Sequence, residues 1–446
     1  MKIKNIFSYL IVAIFALQLV ACTNTDTEQK FDQTPTERTN AQKKELNDLL
    51  LSSEYGWKAI YFTDSTQLGG FTHLFKFLPN GKVNMASDFN TDTKMYNSQY
   101  EIQLGSTVSV VFTTASRIHL LSDSNNFPTA ALRGKGYLGD FQFLYYGQDK
   151  EDIIFRTNRT VQELRFVKAT AEDWSDLNKN AITLNNINGT ATSPLFRLLV
   201  TNDGTATHNF DFDFNTNARF GEATSLDPTY DESYNFGFSY TPTGAIAKPA
   251  VVVKGQKLAN FIFDSVNNSF VATGRDGVSA TIKYTNTPPT LTDDYKVLLP
   301  GKVGARFGYF PDDLTAGAST NSQFFIDELA KINASLPDGI TLGSVQLYLN
   351  HSLGNFIYYT FNGRSAVFHY IDVEEDAVGK KIIFKHKSWN GNTTSAAPSF
   401  LASFDKNLVN ASGVYVKKEN FRLTYANSVY TFTSSVSSFR MTTWLL

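Results

Sequence analysis

The sequence predicts a mainly β protein of antiparallel sheets, sandwich or barrel-like, with an N-terminal helix and one further helix near residues 322–332. Three observations point there. Aromatic residues, which suit the pleated, half-buried surface of a strand, make up 14% of the 446 residues, against 18% for charged ones. Short stretches alternate apolar and polar residues, and turn residues punctuate them at intervals typical of a meander, sandwich or barrel rather than a parallel sheet. Two segments carry the helical period instead.

The first of these opens on a capping box: Thr34 at the N-cap, Pro35 at N1 and Glu37 at N3. Leu46, Leu49, Leu50 and Ser53 share one face, Lys43, Lys44 and Asp48 read as the solvated face, and Gly56 is the expected stop. From Gly56 onward the period becomes two. Strands are expected at residues 57–62, 71–78, 82–87, 100–104, 108–113, 117–121, 141–146, 152–156 and 162–167. Pro79-Asn80-Gly81 makes a hairpin turn, because Asn-Gly accepts positive φ. Residues 168–188 are more polar and read as a linker. A second β region covers 195–284, with Phe210, Phe212 and Phe214 in strict alternation and strands at 234–240, 250–254 and 281–284. Thr285-Asn286-Thr287-Pro288-Pro289-Thr290 is the clearest interior boundary. The second helix follows at 322–332, with Phe325, Leu329 and Ile332 on one face. Strands resume at 345–349, 356–361, 366–371 and 381–386, with three more from residue 421 to the end. The expected units are therefore 34–170, 185–285 and 295–446.

The N-terminal end carries a different signal. Lys2 and Lys4 precede an apolar run from Ile6 to Val20, which is 15 residues long, whereas a membrane-spanning helix needs roughly 20. Residues 1–21 therefore read as a signal peptide. Ala21-Cys22 resembles a bacterial lipobox, in which the thiol of Cys22 is acylated after cleavage, and residues 22–33 read as a polar tether. Cys22 is the sole cysteine, so the mature chain has neither an internal disulfide nor a free thiol nucleophile. Several acyl chains, at about 0.8 kcal/mol per buried CH2, make a stable anchor. The formal charge of −2 becomes −4 once the two leader lysines are removed, and nothing in it marks a nucleic-acid footprint.

Catalytic and metal motifs are weak. The six histidines are His73, His119, His208, His351, His369 and His386, and no two stand within four residues. His119 reads as a half-buried strand residue. Asp211, Asp213, Asn215, Asn217 and Glu222 imitate the ligand spacing of a calcium loop, but Thr216 stands where the loop needs Gly. The alternating Phe residues make these acids the solvent face of a strand. Asp372, Glu374, Glu375 and Asp376 hold enough carboxylates for a glycosidase pair, but beside Gly379-Lys380 they read first as a solvated hairpin. No Gly-x-Ser-x-Gly elbow is present. No catalytic residue, metal ligand or cofactor is assigned. For sugar or peptide binding, Trp389 beside Asn390-Gly391-Asn392 is the first candidate, with Tyr145 and Tyr146 behind it. Trp57 and Trp174 are expected to pack.

Several stretches resemble a family of Bacteroidota lipoproteins described as domain of unknown function 4302. They are Cys22, Glu37-Arg38, Tyr55-Gly56-Trp57, Gly69-Gly70 ahead of Phe75-Lys76-Phe77, Asn80-Gly81-Lys82-Val83 and Ile118-His119-Leu120-Leu121. The likeness is closest over residues 30–170. It implies a lipid-anchored outer-membrane accessory of a SusC/SusD-type nutrient importer, capturing glycan or peptide, and it implies no catalytic residues. The alternatives are an envelope hydrolase with an acidic site and a structural or assembly lipoprotein.

Overall fold

The computed structural model describes residues 34–446 apart from 106, 191–192, 313–319, 421–422 and 424. The expected leader, Cys22 and tether lie outside the described residues. The fold is three eight-stranded antiparallel barrels in tandem.

The first barrel is built from Trp57–Phe62 (β1), Gly70–Leu78 (β2), Lys82–Ser87 (β3), Tyr96–Leu104 (β4), Val108–Phe112 (β5), Gln142–Asp149 (β6), Asp152–Thr157 (β7) and Glu163–Lys168 (β8). The second contains Phe196–Asp203 (β9), Thr207–Asn215 (β10), Phe220–Ser225 (β11), Ser233–Thr241 (β12), Gly244–Val253 (β13), Gln256–Asp264 (β14), Ser269–Thr273 (β15) and Val278–Thr285 (β16). The third contains Ala305–Tyr309 (β17), Thr341–His351 (β18), Gly354–Asn362 (β19), Arg364–Asp376 (β20), Lys381–Trp389 (β21), Val414–Lys418 (β22), Val429–Ser434 (β23) and Arg440–Leu445 (β24). Within each barrel every strand pairs with its neighbours in sequence. The first strand then pairs with the last: Trp57 with Lys168, Phe196 with Thr285, Phe307 with Leu445. An antiparallel meander can close in this way only with an even number of strands, and closure removes the exposed edges.

An eight-stranded barrel is just wide enough for side chains to fill, and here the filling is aromatic. Phe75 stacks on Phe166 at 4.8 Å and on Phe112 at 5.3 Å inside the first barrel. Phe210, Phe212 and Phe214 all point into the second. The expected first helix is Pro35–Leu51 (α1), with the Thr34–Glu37 capping box in place. Leu46 and Leu50 join the first core, and the Trp57 indole N–H donates to the Leu50 carbonyl at 3.0 Å. Gly56 takes φ +75° in the turn into β1, where a Cβ would meet the Phe75 carbonyl oxygen at 2.1 Å.

Three expectations are corrected. Residues 117–121 form a 3-10 turn, Arg117–Ser122, not a strand. Ile118 and Leu121, three apart, both face inward, which is the period of that helix. Residues 168–188 are not a linker. They hold Ala171–Asp176 (α2), capped by Thr170 and Asp173, and Asn180–Asn188 (α3), with Leu177, Thr183 and Ile187 buried. Most polar residues there are caps or outward positions, while buried Asn180 and Thr183 donate to Asp88 and to the Thr241 carbonyl. Finally, among the described residues only β23 and β24 follow residue 421, where three strands are expected. An unforeseen short helix, Ser399–Asp405 (α5), and then β22 precede them. The other expected helix, Gln323–Ala334 (α4), is present, with Ser322 as its cap and Phe325, Leu329 and Ile332 buried.

Candidate functional site

On the third barrel both faces of the sheet are aromatic. Alternation sends Ile357, Tyr359, Val367 and Ile371 into the core. It sends Tyr348 on β18, Phe356 and Tyr358 on β19, and Phe368 and Tyr370 on β20 to the outside. Register aligns these five rings: Tyr348 opposite Phe356, Phe356 opposite Tyr370, Tyr358 opposite Phe368. The Tyr348 and Phe356 rings are stacked at 4.7 Å and 18°, Tyr358 and Phe368 lie at 4.6 Å, and Phe368 and Tyr370 are near-parallel at 6.1 Å. Phe356 is only 4% exposed, yet it stands outside the core cluster. Its neighbours Tyr348, His351, Phe368 and Tyr370 shield it, and Tyr348, Tyr358, Phe368 and Tyr370 keep a share of their surface in water.

A polar border runs along this platform. Arg306 on β17 donates to the Tyr348 hydroxyl at 3.2 Å, and its guanidinium stands 5.7 Å from that ring. Tyr348 donates on to Gln346, whose amide donates to the Ser344 hydroxyl at 2.8 Å. A row of rings with fixed donors and acceptors along one side can stack on the C–H face of a sugar and hold its hydroxyls.

The binding residues expected from sequence are not part of it. Trp389 is 4% exposed, belongs to the core and stacks on the His369 ring at 3.9 Å, because β21 runs three residues beyond the expected end at 386 and carries the indole inward. Tyr145 is buried, with its hydroxyl donating to Glu45 of α1, so it ties the helix to the barrel and offers no face to solvent. Burial and the Glu45 carboxylate raise its phenol well above the ordinary value. Tyr146 points outward, 52% exposed, and its ring is capped by Arg156 at 4.4 Å. The platform was missed because residues 356–361 are apolar or aromatic at nearly every position, which hides a period of two. The signal was that double-sided apolar run in a sheet expected to be antiparallel.

The scattered histidines include one cluster, which runs from buried His369 and Asp405 out to exposed His386. His369 Nδ1 lies 2.7 Å from Asp405 Oδ1, and its Nε2 lies 2.8 Å from His386 Nδ1. The Tyr359 hydroxyl donates to the same Asp405 oxygen at 2.7 Å. This chain satisfies polar groups inside the core, and no metal-binding group of three His, Cys, Asp or Glu exists among the described residues. Likewise Asp372, Glu374 and Asp376 are paired with Lys387, Lys385 and Lys381, and Glu375 accepts from Tyr295 at 2.8 Å. Asp213 stands opposite Glu222 on neighbouring strands, not around a calcium loop. His119 sits in the 3-10 turn, with Nε2 3.1 Å from the Phe112 carbonyl, and burial lowers its pKa.

Fold and surface thus define a tandem β-barrel protein with an aromatic face on its third barrel. The family described as "Domain of unknown function (DUF4302)" matches residues 27–265, more than half of the chain, and the chain belongs to that family. The match spans the first barrel and most of the second. No curated protein matches the chain. Among solved structures, the DNA polymerase sliding clamp from Bacillus subtilis aligns over 91% of this chain and 97% of its own at 9% identity and TM-score 0.18. DNA polymerase III subunit beta from Borrelia burgdorferi, in complex with a natural product, aligns over 92% and 97% at 10% identity and TM-score 0.15. Likeness at this level bears on neither fold nor function.

Proposed function

We propose that this chain is an exported lipoprotein of the cell envelope, anchored in the outer membrane through Cys22, that binds glycan as a non-enzymatic accessory to a SusC/SusD-type importer. The aromatic platform on β18–β20 carries this reading. Four partly exposed outward rings around the shielded Phe356, with a polar border, are costly to leave against water, and stacking on a carbohydrate both covers them and uses the border. The lipobox at Cys22 supports the anchor, and family membership supports the resemblance from which the importer context is inferred.

Binding is tested with the chain from residue 22 onward on a glycan array and by affinity electrophoresis in soluble polysaccharides. Retardation by at least one glycan, lost on replacing Tyr358 and Phe368 with Ala, is the expected result. Equal retardation of wild type and double variant on every glycan would remove the platform from the function. The anchor is tested by metabolic labelling with an alkyne fatty acid, which should mark the wild type and not Cys22→Ala.

A further inference from the structure

The outer faces of the second and third barrels meet across a cleft of about 540 Å3, within the range of small-molecule sites. The linker Pro288-Pro289-Thr290 forms one side of it. From the second barrel β10 presents Asp211 and Asp213, the outward residues of the strand whose Phe210, Phe212 and Phe214 fill the core. From the third barrel β22 presents Lys417 and β24 presents Arg440.

The two walls carry opposite charge, yet no ion pair joins Asp211 or Asp213 to Lys417 or Arg440 among the described residues. The cations turn to Glu419 on their own barrel, at 3.6 Å from Lys417 and 3.3 Å from Arg440. Arg440 Nε is buried without a hydrogen-bond partner. The acids stand two residues apart on one face, and Lys417 acts on Asp211 from beyond ion-pair distance, in the direction that favours the carboxylate. Burial, and then Asp213, raise the Asp211 carboxyl above its ordinary value. A ligand bearing only negative charge would be repelled by β10, and one bearing only positive charge by β22 and β24. A molecule with an ammonium at one end and a carboxylate at the other meets both walls and adds no net charge to a partly desolvated site.

We propose that this cleft binds a short free peptide, with its ammonium at Asp211 and Asp213 and its carboxylate at Lys417 and Arg440. The site is separate from the aromatic platform and does not rest on the glycan reading.

Isothermal titration calorimetry of the chain from residue 22 with Ala-Ala, N-acetyl-Ala-Ala and Ala-Ala-amide tests it. Ala-Ala is expected to bind, and capping either end to weaken binding by at least about tenfold, since each cap removes one charge-assisted contact. Asp213→Asn and Lys417→Met should each weaken Ala-Ala by a similar factor with an unchanged thermal midpoint, since both side chains are exposed on the cleft walls. No heat with Ala-Ala at millimolar concentration, or equal affinity for free and capped forms, would overturn the proposal. Loss of glycan retardation in the platform variant with Ala-Ala binding intact separates the two sites.

Discussion

Arg219, on the second barrel, donates from Nη1 to Asp88 Oδ1 on the first at 3.3 Å, with both side chains no more than 5% exposed. The guanidinium lies between the rings of Phe71 at 4.1 Å and Tyr240 at 4.5 Å, one from each barrel. Asp88 also accepts from the Thr72 amide and the Asn180 side chain, each at 2.8 Å. A buried pair of this kind contributes little relative to apolar packing, but removing one partner strands the other charge.

Asp88→Ala should therefore lower the stability of the joint by about 3–5 kcal/mol. Arg219→Met should cost less, because Asp88 keeps the Thr72 and Asn180 donors. Urea denaturation followed by tryptophan fluorescence measures the order. The reverse order would mean that the arginine acts through its stacking on Phe71 and Tyr240 more than through its charge.

The same joint brings two backbones together. A Cβ on Gly237 would lie 2.5 Å from Gly69 Cα and 2.6 Å from the Leu68 carbonyl, and backbone atoms cannot rotate away. Gly237→Ala should cost about 1–3 kcal/mol, the range for forced overpacking. Gly105→Ala, where the nearest atom would be at 3.6 Å, should stay within about 0.5 kcal/mol of wild type. Thermal midpoints of the two variants make the comparison.

His73 is fully buried, and its Nε2 has no partner. Burial lowers its pKa to about 4, with Asp88 acting in the opposite direction and Arg117 in the same one. The unfolded chain takes up this proton near pH 6.5 and the folded chain only near 4. Between those values the unfolded state binds more protons, so stability is full above about pH 6.5 and falls as pH drops towards 4. The loss at the low end is about 3 kcal/mol. Denaturation midpoints from pH 7 to pH 4 should fall less steeply in His73→Leu than in wild type. Parallel slopes would assign the acid sensitivity to other groups.

On the platform, Phe356 and Tyr358 should part company. Phe356→Ala removes a ring enclosed by four others and should cost about 3 kcal/mol. Tyr358→Ala removes a partly exposed ring and should cost about 1 kcal/mol, mostly its pairing with Phe368. Chemical denaturation of both variants checks the difference, and equal losses would mean that Tyr358 is as enclosed as Phe356.

The residues that carried the family resemblance are largely explained by packing. Gly56 turns the chain beneath Phe75, Gly69 lets the first two barrels touch, and Trp57 closes α1 onto the barrel. Such positions are legible in sequence because turns, caps and alternation are local. Thr34 and Glu37 made the first helix readable, and Phe210, Phe212 and Phe214 made a strand readable, each from neighbours alone. By itself the sequence determined an antiparallel β protein with these two helices, and its Ala21-Cys22 pair is the ground for the proposed lipid anchor. Only tertiary structure decided that the meanders close into three barrels, that Trp389 and Tyr145 turn inward, and that Tyr348, Phe356, Tyr358, Phe368 and Tyr370 share an outer face. The physical reason is that alternation assigns residues to two faces without saying which one water touches. Where both faces are aromatic, closure of the barrel alone makes one of them the inside.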